Sequence, residues 1–205
     1  MPVYDKDMIC NMALAHCGIT ARVDGVDTEN TNEAINCRLF YNHVRDLTLE
    51  ARPWPFAERR RALTKLGTPH LGWNFRYKYP ADCKHASYIE NPCTPKAPQK
   101  KEDKIPFIIR DIDDGYGKCI LTNQDDAILV FNINLEDENL MTSTFVQAFS
   151  LGIASHISTP LRVDANIKQM VTQAWTNWLA EASNFAQREQ QDQPEAPSQY
   201  ESARG

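Results

Sequence analysis

Long apolar runs are missing from this chain. The longest, Ala127 to Phe131, falls far below the ~20 residues that a membrane-spanning helix needs. The opening Met1-Pro2-Val3-Tyr4-Asp5-Lys6-Asp7 is mixed in charge and leads into no apolar core of a signal peptide. No membrane partner is expected. Glycine is sparse, 8 of 205 residues, and proline stands at 12, so collagen-like and low-complexity readings fall away. A basic excess is missing too: 22 Lys and Arg against 27 Asp and Glu leave a net charge of −5. The chain therefore lacks the positive footprint that grips phosphates. Its one basic cluster, Arg59-Arg60-Arg61, is short and sits beside Glu58, which suits a solvated or subunit-contact face better than a DNA site. The six cysteines (Cys10, Cys17, Cys37, Cys83, Cys93 and Cys119) include no CxxC pair. In a chain made in a reducing cytosol they read as small core residues with free thiols.

The patterns of metal and cofactor chemistry also fail. A zinc deaminase needs H-x-E and P-C-x-x-C, but His85 is followed by Ser87, and Pro92-Cys93 by Lys96. Cys83, His85 and Cys93 could still converge on zinc, although structural roles suit them better. Asp111-Ile112-Asp113-Asp114-Gly115 starts like a calcium loop, yet Tyr116 and Thr122 stand where that loop needs Gly and Glu. No GxSxG, Walker or dinucleotide glycine pattern occurs. No cofactor, metal or catalytic residue is expected. Paired carboxylates for glycoside cleavage need not be neighbours in sequence, so a cell-wall hydrolase stands as the alternative to a non-enzymatic role.

What is present is periodicity. Asp5 or Asp7 can cap a first helix whose Ile9, Met12, Ala13 and Cys17 share a face, with Gly18 at its end. Asn30 or Thr31 can cap a second, with a stripe of Ala34, Cys37, Tyr41, Val44 and Thr48, stopped at Arg52-Pro53. Trp54-Pro55-Phe56 follows, and 57–66 reads as a short helical or extended piece. Alternation from Trp73 to Tyr79 predicts a strand, and Tyr88 opens another. Runs at 107–112, 116–121 and 127–131, the first two joined by Asp113-Asp114-Gly115, predict an antiparallel meander. Asn91 to Lys104, rich in lysine and proline, reads as an exposed loop. Helical spacing returns at Phe145–His156 and again after Asp164, through Ile167, Met170, Val171, Ala174, Trp178 and Phe185. The expectation is an α+β fold. A four-helix bundle (residues 1–66 and 141–186) carries an inserted small antiparallel β domain (67–140) and an extended, flexible C-terminal tail (187–205).

Four blocks of this chain resemble, in order, the tail tubular protein A or adaptor family of short-tailed bacteriophages. Ile9-Cys10-Asn11-Met12-Ala13-Leu14 with Gly18 is similar to its opening "I-x-N-x-A-L-x-x-x-G". Tyr41 with Arg45-Asp46, then Pro53-Trp54-Pro55-Phe56-Ala57, resemble its "Y-x-x-x-R-D" and "P-W-x-F-A", with Pro55 where the family usually has Asn. Tyr77 to Cys83 resembles its "Y-x-x-P-x-D-C" strand, and Phe145 to Pro160 its third helix. The resemblance implies a structural virion protein of the tail or neck, synthesised in the bacterial host cytoplasm. It implies a dodecameric ring between the portal protein and the tail nozzle (tail tubular protein B), through which DNA passes without specific binding. Within this frame Trp54, Phe56, Tyr79 and Asp82 are expected as fold anchors. Pro194, Pro197, Tyr200 and Arg204 of the tail are expected to meet a partner, Tyr200 as the aromatic anchor.

Overall fold

The computed structural model describes residues 4–68, 72–93, 104–112 and 115–191, the last ten of these by backbone alone. The chain is mixed α+β. Its elements are α1 (Lys6–His16), α2 (Asn32–Ala51), β1 (Glu58–Ala62), β2 (Phe75–Lys78), β3 (Cys83–Ile89), β4 (Phe107–Ile112), β5 (Gly117–Thr122), β6 (Ile128–Ile133), α3 (Ser143–Ile157) and α4 (Ala165–Gln191). Among the described residues no helix is long and apolar enough to cross a membrane.

The helices start where their caps stand. The Asp5 carboxylate accepts from the Met8 N–H at 2.7 Å, and the Thr31 and Thr142 hydroxyls accept from Ala34 and Phe145, both at 3.3 Å. Gly18, at φ 72°, turns the chain off α1; only glycine enters that region cheaply. The α2 stripe is buried as its spacing predicts, from Ala34 through Cys37, Tyr41 and Val44 to Thr48.

Helix α3 differs in kind. Ten of its 15 residues are buried, the pattern of a helix enclosed on nearly all sides. Tyr4 bonds Ser143 near its start, and the Cys17 thiol meets the Ala154 carbonyl near its end, so α1 runs parallel to it. Ser155 bonds Thr172 at 2.9 Å while Gly152 lies against Trp175, so α4 runs antiparallel to it. The Tyr41 ring of α2 meets Phe149 edge-on at 4.9 Å. Gly152 stands where α2, α3 and α4 come closest. A Cβ there would lie 2.6 Å from Val44 Cγ1 and 3.0 Å from the Trp175 indole.

The strands form two three-stranded antiparallel sheets, ordered β1-β6-β3 and β2-β5-β4. Isolated bridges join them at both edges, Lys65 to Tyr77 and Ile89 to Ile105, so the six strands follow one another around a small barrel. Leu129, Phe131, Ile89 and Cys83 from one sheet meet Tyr77 and Ile120 from the other in its interior.

Three expectations need correction. The meander does not form: β4 pairs with β5, but β6 lies in the other sheet. Buried Tyr77 explains the crossing, because its hydroxyl donates to the Gln124 carbonyl at 2.9 Å and accepts from the Ala127 N–H, carrying the chain over the barrel mouth. The stretch after Ala57 is strand, and Glu58 to Ala62 pair with Asn132 to Ile128, so the expected boundary at residue 66 falls inside the barrel. Helix α4 extends to Gln191, past the expected tail boundary at 187, because Gln187 to Gln191 are straight-chain residues with good helix propensity. The hairpin turn at 113–114, most of the 91–104 loop and residues 192–205 lie outside the described residues.

Gly152→Ala is expected to destabilise the protein by about 1–3 kcal/mol, the usual cost of forcing a methyl group into a filled space. Urea denaturation of the purified variant measures it.

Candidate functional site

The residues that carry the resemblance gather at two places. At the first, Ile9, Ala13 and Leu14 enter the core, while Asn11 turns outward to the returning chain. Its carboxamide accepts from the Val23 N–H at 2.9 Å and donates to the Val23 carbonyl at 2.8 Å, as a neighbouring strand would. The Asp7 carboxylate takes the Val26 N–H at 2.8 Å, and Arg38 binds the Val26 and Asp27 carbonyls. Residues 19–30 are thereby strapped across α1 and α2.

The second place is the joint between helices and barrel. Trp54 is 3% exposed; its indole N–H donates to the Thr48 carbonyl at 2.7 Å and its ring meets Phe145 at 4.9 Å, near perpendicular. Phe56 is half-buried and meets the same Phe145 edge-on at 5.2 Å. Arg45 is buried, with Asp46 at 3.3 Å and Glu136 at 3.7 Å, and Lys84 of β3 reaches Asp46 at 2.6 Å. Asp82 takes both guanidinium nitrogens of Arg61, at 2.7 and 2.8 Å. Tyr79 packs half-buried on the barrel core, where burial and the Cys83 thiol push its hydroxyl pKa up. Of the four expected anchors, Trp54 and Phe56 share one cluster. Tyr79 and Asp82 lie together at the start of β3. Pro194, Pro197, Tyr200 and Arg204 lie outside the described residues.

Asn132 was not legible as a key residue. It is fully buried on β6; its amide donates to the Arg52 carbonyl at 2.7 Å and the Leu49 carbonyl at 3.4 Å, and its oxygen accepts from the Trp54 N–H at 3.3 Å. A helix leaves its last carbonyls without partners, and here a strand supplies them. The one available signal is a carboxamide closing an apolar run.

The candidate chemical groups are dispersed. Cys83 points into the barrel, His85 Nδ1 lies 2.9 Å from the Glu50 carbonyl and Cys93 is exposed. Among the described residues no three His, Cys, Asp or Glu side chains are placed to hold a metal ion. All six cysteines are free thiols. Burial pushes the Glu58 carboxyl up against the opposing pull of Arg60 and Lys104, and Glu90 is ion-paired with Arg60. The basic triplet is partly neutralised in this way, Arg60 by Glu90 and Arg61 by Asp82. A groove of about 890 Å³ lies elsewhere, between α1 and residues 18–24. Two of its acids, Asp5 and Asp7, already accept backbone N–H groups.

Compared with protein-family models the chain matches none, and no curated protein matches its sequence.

Removing the Trp54 indole leaves a buried void and strands the Thr48 carbonyl. Trp54→Ala is therefore expected to cost about 3–5 kcal/mol, read as a lowered denaturation midpoint with the fold otherwise retained. The ion pair gives a second expectation. Arg61 holds the Asp82 carboxyl below its ordinary value of 3.8, so this pair stabilises the fold above that pH and ceases to as pH falls through the lower folded value. Asp82→Asn should lower stability at pH 7 and flatten its decline in acid, in melting curves between pH 7 and 2.

Proposed function

We propose that the chain is a structural virion protein: the subunit of an adaptor ring that joins the portal of a short-tailed phage to its tail nozzle and encloses the DNA ejection channel. The observation that carries this reading is the use to which the resembling residues are put. Asn11, Arg45, Asp46, Trp54 and Asp82 are each occupied in bonds or ring contacts that fix one element against another. A subunit of a closed ring needs such a body, since one heterologous interface must repeat at a constant angle until it closes. In this reading the four helices act as one bundle with α3 at its centre, and the barrel is carried on its side. The net charge of −5 suits a passage that lets DNA slide rather than holding it. The segment beyond Gln191, with Tyr200 as its anchor, docks on the portal or on a neighbouring subunit, where many tethered copies make weak contacts collectively strong.

A hydrolase reading would rest on Glu58, whose carboxyl is raised by burial, as a general acid with a second carboxylate across a cleft. Clearing of bacterial cell walls in a zymogram, lost in Glu58→Gln, would favour it over the adaptor. For the adaptor, electron microscopy of the protein mixed with portal rings is expected to show dodecameric collars seated on the portal. Deleting residues after Gln191 is expected to leave the melting temperature unchanged and weaken portal attachment. Absence of any ring with or without portal would overturn the reading.

A further inference from the structure

The groove along α1 has a shape, a polarity and an unsatisfied edge that together describe an extended peptide. One wall is the outer face of α1, with Met8, Met12 and Ala15; the other is the returning chain from Ile19 to Asp24. Met8 is 44% exposed. The backbone N–H and C=O groups of Thr20, Ala21 and Arg22 have no hydrogen-bond partner among the described residues, so this wall is an open edge to which a strand can add. Because Val23 is pinned to Asn11, the edge is held in place before anything binds. The two chains run antiparallel, Val23 opposite Asn11 and Val26 opposite Asp7. Asp5, Asp7 and Asp24 therefore gather at one end of the groove, and Ala15 and Ile19 mark an apolar end. From Asp5 to Ala15 the helix rises ~15 Å, room for four or five extended residues at about 3.3 Å each.

We propose that this groove receives residues Tyr200 to Arg204 of a second copy of the chain, with the Tyr200 ring at the apolar end and the Arg204 guanidinium at the acidic end. The inference rests on the ring reading, and of the two docking partners open to the tail it selects the neighbouring subunit. Charge and length both match. Arg204 is the one base in residues 192–205, and the groove gathers three acids at one end. Glu201, next to the tyrosine, comes within reach of Arg22 on the open edge.

Length also works against the chain's own groove. Ile167 of α4 lies against Gly18, at the apolar end, and α4 then runs 24 residues to Gln191, a distance of ~36 Å. The nine steps from Gln191 to Tyr200 span at most about 30–32 Å even fully extended. The chain's own tail reaches this register only when fully stretched, so the register is assigned to another subunit.

The test places a photo-reactive benzoyl-phenylalanine at position 200 of the full chain and mixes ¹⁴N- and ¹⁵N-labelled protein before irradiation. Benzophenones insert readily into methionine side chains, so the expected product is a mixed-isotope cross-link to Met8 or Met12. Arg204→Glu should lower its yield at least tenfold, and adding Asp24→Arg should restore it. The Asp24 carboxylate is exposed and caps nothing, so that variant keeps the fold; its melting curve confirms this. Cross-links confined to one chain, cross-links elsewhere, or a yield indifferent to the charge exchange would each overturn the groove assignment. Rings that assemble normally without the α1 cross-link would overturn the groove and leave the ring reading standing. A mixed cross-link from a chain that forms no closed ring would sustain the groove and remove the ring.

Discussion

One buried carboxamide holds the two halves of this molecule together. Asn132 lies on the central strand of its sheet, and its amide group is spent on the Leu49 and Arg52 carbonyls and the Trp54 N–H, none of which belongs to the sheet. The Leu49 carbonyl and the Trp54 N–H would otherwise be buried without partners, each costing roughly 1–3 kcal/mol. The chain leaves α2 at Arg52 in an extended conformation, as the following proline demands. Asn132 fixes the direction in which it leaves. Trp54 can then drop its ring onto Phe145 and close the indole bond to Thr48. The Arg45, Asp46 and Lys84 pairs form a second line of contact between α2 and β3. They are partly exposed and screened, so they orient more than they stabilise.

The helical side depends on an absence instead. Gly152 lets Val44 and Trp175 approach α3 closer than any side chain would permit. The Trp175 indole and Phe40 both contact the His156 ring, at 5.6 and 5.5 Å, so three helices converge within one side-chain layer. An interior packed this closely transmits displacement instead of absorbing it.

Local chemistry made the helices legible. Capping residues, stripe spacing and stop signals at Asp5, Thr31, Gly18 and Pro53 are all decided within a few residues of one another. The α2 stripe and the α3 run follow from periodicity for the same reason. What could not be read was set by partners far away in sequence. Glu58-Arg59-Arg60-Arg61 shows no alternation because Arg60 and Arg61 find acids just after and just before β3, 30 and 21 residues on, and its pairing with β6, some 70 residues away, makes it a strand. The expected meander failed because a tyrosine hydroxyl 47 residues back redirects the turn at Gln124. Trp54 was legible as an anchor because two large rings beside a proline at a helix stop have few other uses. Asn132 was not, because a carboxamide in an apolar strand looks the same whether it meets water or three backbone groups. The groove beside α1 lay hidden for a related reason: a polar, turn-rich stretch gives no sign that Asn11 will pin it.

These constraints bear on assembly through geometry rather than through chemistry. A heterologous interface closes into a ring only if each copy repeats the same rotation, and an angular error at one contact is added again at every other. Two domains joined by a flexible linker would spread that angle and favour open arrays. Here the joint carries a bonded carboxamide, a buried indole and an ion-pair line on separate elements, so bending it must break several contacts at once. The parts that remain adaptable lie at the margins. One is the end of α4, which outruns α3 by twelve residues, 27 against 15. A helical extension of that length gains little stability from its own hydrogen bonds in water. In the proposed ring, rigidity at the joint is what would hold the angle between neighbours constant, and the end of α4 lies far enough from the joint to meet a neighbour without disturbing that angle.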